Sequence, residues 1–295
     1  MLHLDPATLP TPELYQYLIG IVGPRPIAFV STVDAGGHAN LAPYSFFNLF
    51  STNPPILVFS SNRRVADNTT KDTLANVRAT GACVVNVVSH AIVRQMAVAS
   101  VEWPTEVSEF DAAGLTPLAS ELVRPPRVAE SPAAMECRVR DILTLGEGGG
   151  AGHLILCDIV RVHIDEAVID ARGRVDPHKI DLMGRLGRSY YARASGDAVV
   201  SVVQPVNGTA IGFPALPPHV RDSRVLTGND LGRLAGAPTL PSPEDIETLK
   251  TSDPQLAQIL AAPPTVDTDT ALHTYAKALL ERDEVTKALQ VVLAA

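Results

Sequence analysis

Four short segments of the chain carry polar side chains at the ends of apolar runs, where a folded protein can present them to a ligand. Lys71 and Thr73 stand where a helix is predicted to begin, so free N–H groups and the helix dipole favour an anion there. The residues from Ser60 to Arg64 add hydroxyl groups and fixed positive charge in a loop that leaves a strand. These two segments suit a phosphate, whereas the other two suit the carbonyls and nitrogens of a flat polar ring. In chain order the segments are Ser31–Thr32, 40–45 (NLAPYS), 60–64 (SSNRR) and 71–73 (KDT).

Polar residues also run through an aromatic stretch at 40–55, which reads NLAPYSFFNLFSTNPP. Phe46 and Phe47 predict a buried segment, yet Asn48 and Ser51 lie among the aromatic residues. Buried polar groups cost free energy unless they are paired. Their partner is either the protein's own backbone or a ligand, and the stretch by itself leaves both interpretations open.

Short apolar segments bounded by turns predict six strands that would position these residues. The segments are 26–33, the aromatic stretch, 55–61, 82–89, 135–145 and 153–165. Helical spacing predicts helices at 12–20, 71–81 and 90–100. Strands joined by tight turns with few helices between them favour an antiparallel barrel over alternating βαβ units. The glycine-rich run GEGGGAG at 146–152 lies between two strands and is interpreted as a flexible hairpin loop, so no dinucleotide-binding motif is indicated.

The composition changes near Ser195, which predicts two parts: a barrel domain at 1–195 and an extension at 196–295. The extension begins with a segment rich in Pro and Gly that is typical of irregular structure. From Pro243 onward the pattern is helical, with Ser242 as a cap and acidic residues in the first turn. No chemistry is assigned to the extension.

The totals exclude several classes of function. A net charge of −8 and a pI of about 5.5 repel phosphate backbones and argue against nucleic acid as a partner. Cys83, Cys137 and Cys157 lie in apolar runs without a C-x-x-C pair, so they are predicted to be small buried hydrophobes rather than a disulfide framework. The histidines lack H-E-x-x-H or other metal-ligand spacing, so no metal site is predicted. The first residues lack the charge order of a signal peptide and no apolar run reaches the ~20 residues of a membrane helix, which predicts a cytoplasmic protein without a membrane partner.

Several segments, taken in order, resemble the flavin reductase-like family of FMN-binding split barrels, to which the flavoredoxins are related. They span about residues 15–193 and read RPIAFVSTVDAGGHANLAPYSFFNLFSTNPPILVFSS, KDTLANVRATG, CVVNVVS, EFDAAGLTPLAS, RPPRVAESPAAMECRV and RLGRSYY. The resemblance implies a mainly β fold, a six-stranded antiparallel Greek-key split β-barrel with flanking helices, to which the C-terminal extension is added. It also implies a homodimer with FMN near the subunit interface. The polar groups of NLAPYS would then face the flavin, while the aromatic residues pack the barrel and the dimer contact.

The resemblance also assigns cofactor contacts at positions that match the family pattern. Near the isoalloxazine ring it implies Arg25, Pro26, Ser31 and Thr32, and along the same wall Asn40, Ala42 and Ser45. Near the phosphate and ribityl chain it implies Ser60, Ser61, Lys71, Asp72 and Thr73, with Arg63 and Arg64 in a loop that varies within the family. At the open side of the cofactor it implies Arg185 and Tyr190.

The implied activity is hydride transfer from NADH or NADPH to FMN, which depends on orientation and electrostatics rather than on a nucleophilic side chain. Arg25 and Arg185 are candidates for stabilising negative charge near flavin N1. His153 follows the glycine loop, where some flavin reductases carry a Gly-Asp-His segment that contacts nicotinamide. The Asp is absent here, so His153 is either a nicotinamide contact or a solvent-facing histidine at the start of a strand.

Two functions from different classes remain open. The first is an NAD(P)H:FMN oxidoreductase, which would supply reduced flavin to a partner oxygenase. The alternative is a flavoredoxin-type flavoprotein that carries electrons without turning over NAD(P)H. A third interpretation, a structural protein with an empty pocket, also remains open.

Overall fold

The computed structural model describes residues 1–104, 107–202, 209–263 and 267–294. The chain folds into two compact units, Met1–Val200 and Ser201–Ala295. Each unit has a hydrophobic core of its own. The residues predicted to carry chemistry all belong to the first unit.

The first unit is built on one antiparallel sheet of seven strands in the order β2-β1-β5-β8-β9-β4-β3. Its strands are Ala28–Val33 (β1), Ala39–Tyr44 (β2), Phe47–Thr52 (β3), Pro55–Ser60 (β4), Ala82–Val87 (β5), Ala133–Thr144 (β8) and His153–Ile164 (β9). Two small two-stranded sheets, which the sequence analysis did not predict, complete the unit. They pair Pro117–Leu118 (β6) with Arg127–Val128 (β7), and Leu182–Arg185 (β10) with Tyr191–Ala194 (β11).

The expected six-stranded barrel is wrong: the structure has an open sheet of seven strands, because the aromatic stretch forms two strands rather than one. The chain turns at Ser45 and Phe46, so β2 and β3 lie at opposite edges of the sheet. Leu49 and Phe50 on the edge strand β3 are more than half exposed, so this part of the stretch is not buried within the unit.

The long apolar run of β1 is explained by burial on both faces of the sheet. Phe29 packs into one core cluster, while Ala28 and Val30 pack into the other. The prediction for the three cysteines is confirmed, since all are free and buried.

The helices of the first unit lie where the strands connect. The predicted helices at 12–20, 71–81 and 90–100 are present, and α2 ends at Gly81, whose φ of 69° is a left-handed conformation that favours glycine. The helices are Thr11–Ile21 (α1), Asp72–Thr80 (α2), Val93–Ala99 (α3), Glu109–Ala113 (α4) and Pro177–Ile180 (α5).

The second unit is helical, and its core is formed by leucine, valine and alanine side chains. Its helices are Pro218–Arg221 (α6), Gly228–Ala235 (α7), Pro243–Ser252 (α8), Pro254–Leu260 (α9), Thr268–Glu281 (α10) and Val285–Val292 (α11). Ser242 caps α8 in a capping box with Asp245, as the sequence predicts. Within the described part of the chain, no helix combines the length and the apolar character that a membrane crossing requires.

Candidate functional site

A cavity of about 440 Å³, called the pocket below, opens between α1, the turn from β2 to β3 and the loop from β4 to α2. It combines aromatic, hydroxyl, amide and cationic side chains, which is the mixture that binds a polar ligand with a flat ring. The lining residues are Thr11, Pro12, Tyr15, Gln16, Pro43, Tyr44, Ser45, Phe46, Ser60, Asn62, Arg63, Arg64, Val65, Lys71 and Gly150.

A second, more open groove of about 470 Å³ lies along β3, β4 and β9. Its lining is mainly apolar, with Leu49, Ile159 and Val162 as examples and Arg161 as its cation. Because it offers few hydrogen-bond donors, the pocket is the better candidate for a functional site.

Two cations, Arg64 and Lys71, lie together in the pocket and are called the cation pair below. Burial and the positive charge of Arg64 lower the pKa of Lys71. The Lys71 Nζ atom lies 5.1 Å from the centroid of the Tyr44 ring, and it forms no ion pair with any carboxylate of the described residues. Arg64 is held by its own loop, since its Nη1 donates to Thr69 Oγ1 at 3.0 Å and to the Thr70 carbonyl at 2.8 Å. Two neighbouring positive charges with an unneutralised lysine create a site that attracts an anion.

Hydrogen-bond donors lie beside the cation pair. The Ser60 hydroxyl donates to Asn62 Oδ1 at 2.7 Å, and Asn62 Nδ2 donates to the Gly150 carbonyl at 3.0 Å. Lys71 occupies the N-cap position of α2, and no side chain caps that helix end. The first turn of α2 therefore keeps its dipole available to an anion, as the KDT segment predicts.

Two buried hydroxyl groups lack a partner next to these donors. Tyr44 OH and Ser61 Oγ are both buried, and neither makes a hydrogen bond to the described residues. Burial raises the pKa of Tyr44 to about 12, and the hydroxyls of Thr73 and Ser61 lie close enough to moderate this rise without reaching hydrogen-bond geometry. Unpaired buried hydroxyls are costly, so their presence favours a bound polar group or water at this end of the pocket.

The glycine loop at 146–152 supports the pocket rather than moving as a free hairpin loop. Gly150 N donates to the Arg63 carbonyl at 3.1 Å, and Asn68 Nδ2 donates to the Glu147 carbonyl at 3.0 Å. A Cβ atom at Gly152 would come within 2.7 Å of Ser60 Oγ. Glycine is needed here because the loop backbone lies directly against the hydroxyl that lines the pocket.

Several side chains that were predicted to contact the flavin ring form hydrogen bonds with other groups of the protein. Ser31 Oγ donates to the Pro126 carbonyl, Asn76 Nδ2 donates to Thr32 Oγ1 at 3.0 Å, and Asn40 Nδ2 donates to Thr73 Oγ1 at 3.2 Å. Among the polar residues of the aromatic stretch, whose partner the sequence left open, Asn40 is therefore paired with the protein, and Asn48 is exposed. None of the three ring contacts lines the pocket, whereas Ser45 does.

The remaining predicted contacts are distributed unevenly. Ser60 and Lys71 line the pocket. Ala42 packs against the barrel core. Pro26 and Asp72 are exposed, and Tyr190 is 63% exposed on the hairpin of β10 and β11. For these residues a role in binding stays a prediction.

Arg25 connects three elements of the first unit. Its guanidinium donates to the carbonyls of Ile19 and Val22 at the end of α1 and to the Leu186 carbonyl beyond β10. Backbone hydrogen bonds in both directions join Arg25 to Arg185. The side chain is 6% exposed, so its charge is used to hold α1 against the β10–β11 hairpin.

We expect Arg25→Lys to lower the free energy of unfolding by about 1–3 kcal/mol, because one ammonium group cannot serve three carbonyls as the guanidinium fork does. The loss should appear as faster amide hydrogen exchange in the last turn of α1. Arg94→Lys, an exposed change on α3, is the control and should have little effect. Lysine keeps the positive charge of Arg25 but loses the spacing of the guanidinium donors. A variant as stable as the original protein would therefore show that these hydrogen bonds do not hold α1 in place.

His153 is not the solvent-facing histidine of one interpretation, since it is 2% exposed. Its Nδ1 atom lies 3.0 Å from Thr144 Oγ1, while its Nε2 atom is buried without a hydrogen-bond partner among the described residues. Burial, with smaller contributions from Arg78 and Arg63, lowers its pKa. The side chain does not line the pocket, and a nicotinamide contact stays a prediction.

The sequence analysis missed the contribution of α1 to the pocket. Tyr15 meets Phe46 edge-on, with 6.5 Å between the ring centroids, and the two form the aromatic part of the wall. The signal was the spacing of the pairs Thr11 with Tyr15 and Pro12 with Gln16, which places all four on one face of the helix.

Comparisons with known proteins concern the first unit. The profile of the family described as flavin reductase like domain matches residues 23–178. Nitrilotriacetate monooxygenase component B from Bacillus cereus is 33% identical, and the match covers 65% of this chain and 95% of that one with a TM-score of 0.62. The 2-nitrobenzoate 2-nitroreductase NbaA of Pseudomonas fluorescens is 30% identical over 68% of this chain and 96% of that one, with a TM-score of 0.61. A split-barrel protein from Shewanella frigidimarina NCIMB 400 has a TM-score of 0.59 over 69% of this chain and 99% of its own, but at 24% identity this likeness concerns the fold alone.

Proposed function

The chain belongs to the flavin reductase like domain family, and on this basis we propose that it binds FMN in the pocket and transfers hydride to it from NADH or NADPH. The observation that carries the proposal is the cation pair, which faces the same cavity as the aromatic residues Tyr15 and Phe46. The cations suit a phosphate group of the ligand, and the aromatic residues suit a flat aromatic ring of the same ligand.

The residues of the pocket fit FMN. Lys71 forms no ion pair with a carboxylate of the described residues, so a phosphate would supply the missing negative charge. Tyr44 lines the pocket, and its buried OH, like the neighbouring Ser61 Oγ, has no hydrogen-bond partner in the described part of the chain. Of the predicted contacts, Ser45, Ser60 and Lys71 have the strongest support, and Asn62, Tyr15 and Gln16 join them.

Bound FMN would itself accept the hydride and its two electrons. The contribution of the chain is to bind and orient it. The cation pair and Ser60 would hold the phosphate end, while Tyr15 and Phe46 would contact the ring and keep water from one side of it. Arg25 acts as a positioning residue, because its guanidinium holds the helix that carries Tyr15.

The experiment that tests the proposal is NADH and NADPH oxidation by the full chain, with and without added FMN. Turnover that depends on added FMN supports the oxidoreductase. A yellow protein that does not oxidise NAD(P)H but accepts electrons from another donor would instead support the flavoredoxin-type alternative. A colourless protein that does not quench FMN fluorescence would rule out both.

We also propose a homodimer and a partner oxygenase as the consumer of reduced flavin. The dimer is supported by the exposed edge strand β3, where Leu49 and Phe50 present apolar side chains. The oxygenase is supported by the likeness to a protein named as a monooxygenase component. Light scattering that gives twice the chain mass would support the dimer, and the chain mass alone would exclude it.

We expect FMN affinity to fall as the pH rises, and to do so at a lower pH than the one at which an unperturbed lysine loses its proton. Burial and Arg64 lower the pKa of Lys71 below its usual 10.5, so the ammonium is charged below the shifted pKa and loses its proton as the pH rises through it. We expect about a tenfold weaker FMN affinity once Lys71 is neutral. Fluorescence titrations between neutral pH and pH 10 would measure the change.

Two controls isolate Lys71 in this experiment. Riboflavin has the same ring without the phosphate, so its affinity should follow only the titration of the ring. Lys71→Arg keeps a positive charge throughout this pH range, so the FMN affinity of the variant should depend on pH in the same way as its riboflavin affinity. If Lys71→Arg shows the same alkaline loss as the original protein, the titrating group is not Lys71.

A further inference from the structure

We infer that Glu102 is a built-in competitor of the flavin phosphate: it pairs with Arg64 when the pocket is empty, and it thereby weakens the binding of phosphate-bearing flavins. The inference rests on the proposed function and concerns how that site is regulated. A competing carboxylate favours release of the flavin, as an enzyme that uses FMN as a substrate requires.

Glu102 is placed to neutralise one member of the cation pair. Its Oε1 atom forms an ion pair with Arg64 Nε. Among the residues that the structure describes, no other carboxylate forms an ion pair with Arg64 or Lys71. Asp67 lies near enough for Arg64 to contribute to its lowered pKa, but within the described ranges Glu102 is the carboxylate in ion-pair contact with Arg64.

The position of Arg64 does not depend on Glu102. Its Nη1 atom is fixed by Thr69 Oγ1 and by the Thr70 carbonyl, both in the loop that lines the pocket. Its side chain is only 28% exposed. Arg64 therefore stays beside Lys71 when Glu102 is removed, and its charge becomes fully available to a ligand.

Glu102 itself is weakly held. Its side chain is 70% exposed, and no hydrogen bond to its carboxylate is present in the described part of the chain besides the ion pair. Exposed ion pairs of this kind contribute little to stability because water and salt screen them. A phosphate dianion that also meets Lys71 and the Ser60 hydroxyl is the stronger partner and displaces the carboxylate.

The test is a fluorescence titration of the full chain with FMN and with riboflavin, for the original protein and for Glu102→Gln. We expect Glu102→Gln to tighten FMN binding about two- to fivefold, the range that the loss of an exposed ion pair allows, and to leave riboflavin binding unchanged. The gain should shrink at high ionic strength.

Glu147→Gln is the matched control. Glu147 is an exposed residue of the glycine loop whose side chain forms no ion pair within the described ranges, so the change removes the same charge without touching Arg64. If both variants bind FMN more tightly by the same factor, the gain comes from the change in net charge alone, and the inference is overturned. Unchanged FMN affinity in Glu102→Gln, or equal tightening for riboflavin, would also overturn it. An original protein that binds neither flavin would instead overturn the proposed function and the inference with it.

Discussion

Lys71→Met is expected to weaken FMN binding about 10- to 100-fold, while riboflavin affinity changes less than about twofold. The lysine is the one member of the cation pair without a carboxylate partner among the described residues, so its charge is available to the phosphate. Hydrogen bonds to charged groups contribute about 1.5–3 kcal/mol, which corresponds to this loss. Methionine keeps most of the volume of the side chain against the Tyr44 ring. Isothermal titration with each flavin would measure both affinities.

Lys179→Met is the control for this prediction. It removes one positive charge from α5, where Lys179 donates to the Ile169 carbonyl outside the pocket. FMN affinity should stay within about twofold of the original, since exposed charges at a distance are screened. An equal loss of FMN and riboflavin affinity in Lys71→Met would mean that the lysine supports the shape of the pocket rather than the phosphate.

The sequence predicts most strands of the seven-stranded sheet because their signals are local. Turns bound short apolar runs such as 55–61 and 82–89, and strands lie there. The division of the aromatic stretch into β2 and β3 has no such signal. Ser45 and Phe46, where the chain turns, are neither Gly nor Pro, and both flanks favour strand. Only the sheet as a whole, in which the two strands occupy opposite edges, decides the division.

The same distinction applies to the site. The cationic part of the pocket could be anticipated because 60–64 and 71–73 carry their charge and hydroxyl groups in residue type and in position at element ends. The wall of hydroxyls was only partly predicted, because a polar residue in a strand has two possible partners. Ser31 is paired by a carbonyl 95 residues away and Thr32 by an amide 44 residues away. Such partners depend on tertiary packing, which no local pattern contains.

Arg25 shows why residue type alone does not give a role. An arginine in a family motif near a cofactor was interpreted as an electrostatic partner of the ring, and that role stays a prediction. What the structure adds is that its guanidinium satisfies carbonyls at the end of α1, groups that every helix leaves without an internal partner. The aromatic wall is a consequence of this contact, because the position of α1 sets that of Tyr15.

Asp253 is a buried carboxylate of the second unit, and Asp253→Asn is expected to lower the stability of that unit by about 2–3 kcal/mol. Asp253 is 6% exposed and caps α9 by accepting from Leu256 N at 2.9 Å. It also accepts from Tyr275 OH at 2.7 Å and pairs with Lys287 Nζ at 2.7 Å, which joins α9 to α10 and α11. Burial by itself raises the pKa of Asp253, but the hydrogen bonds from Lys287 and Tyr275 outweigh it and lower the pKa to about 2.

The lowered pKa also predicts how acid affects this unit. The folded pKa lies below the ordinary 3.8, so ionised Asp253 stabilises the unit above that pH, and about 2 kcal/mol is lost as the pH falls towards 2. Hydrogen exchange read in α9, α10 and α11, with the first unit as internal reference, would measure both effects. The matched control is Asp267→Asn, which removes the charge of an exposed cap of α10 but keeps an amide oxygen that accepts a hydrogen bond, and it should cost about 1 kcal/mol or less. Equal losses in the two variants would show that Asp253 acts only as a helix cap, because its contacts with Tyr275 and Lys287 are what separate it from Asp267.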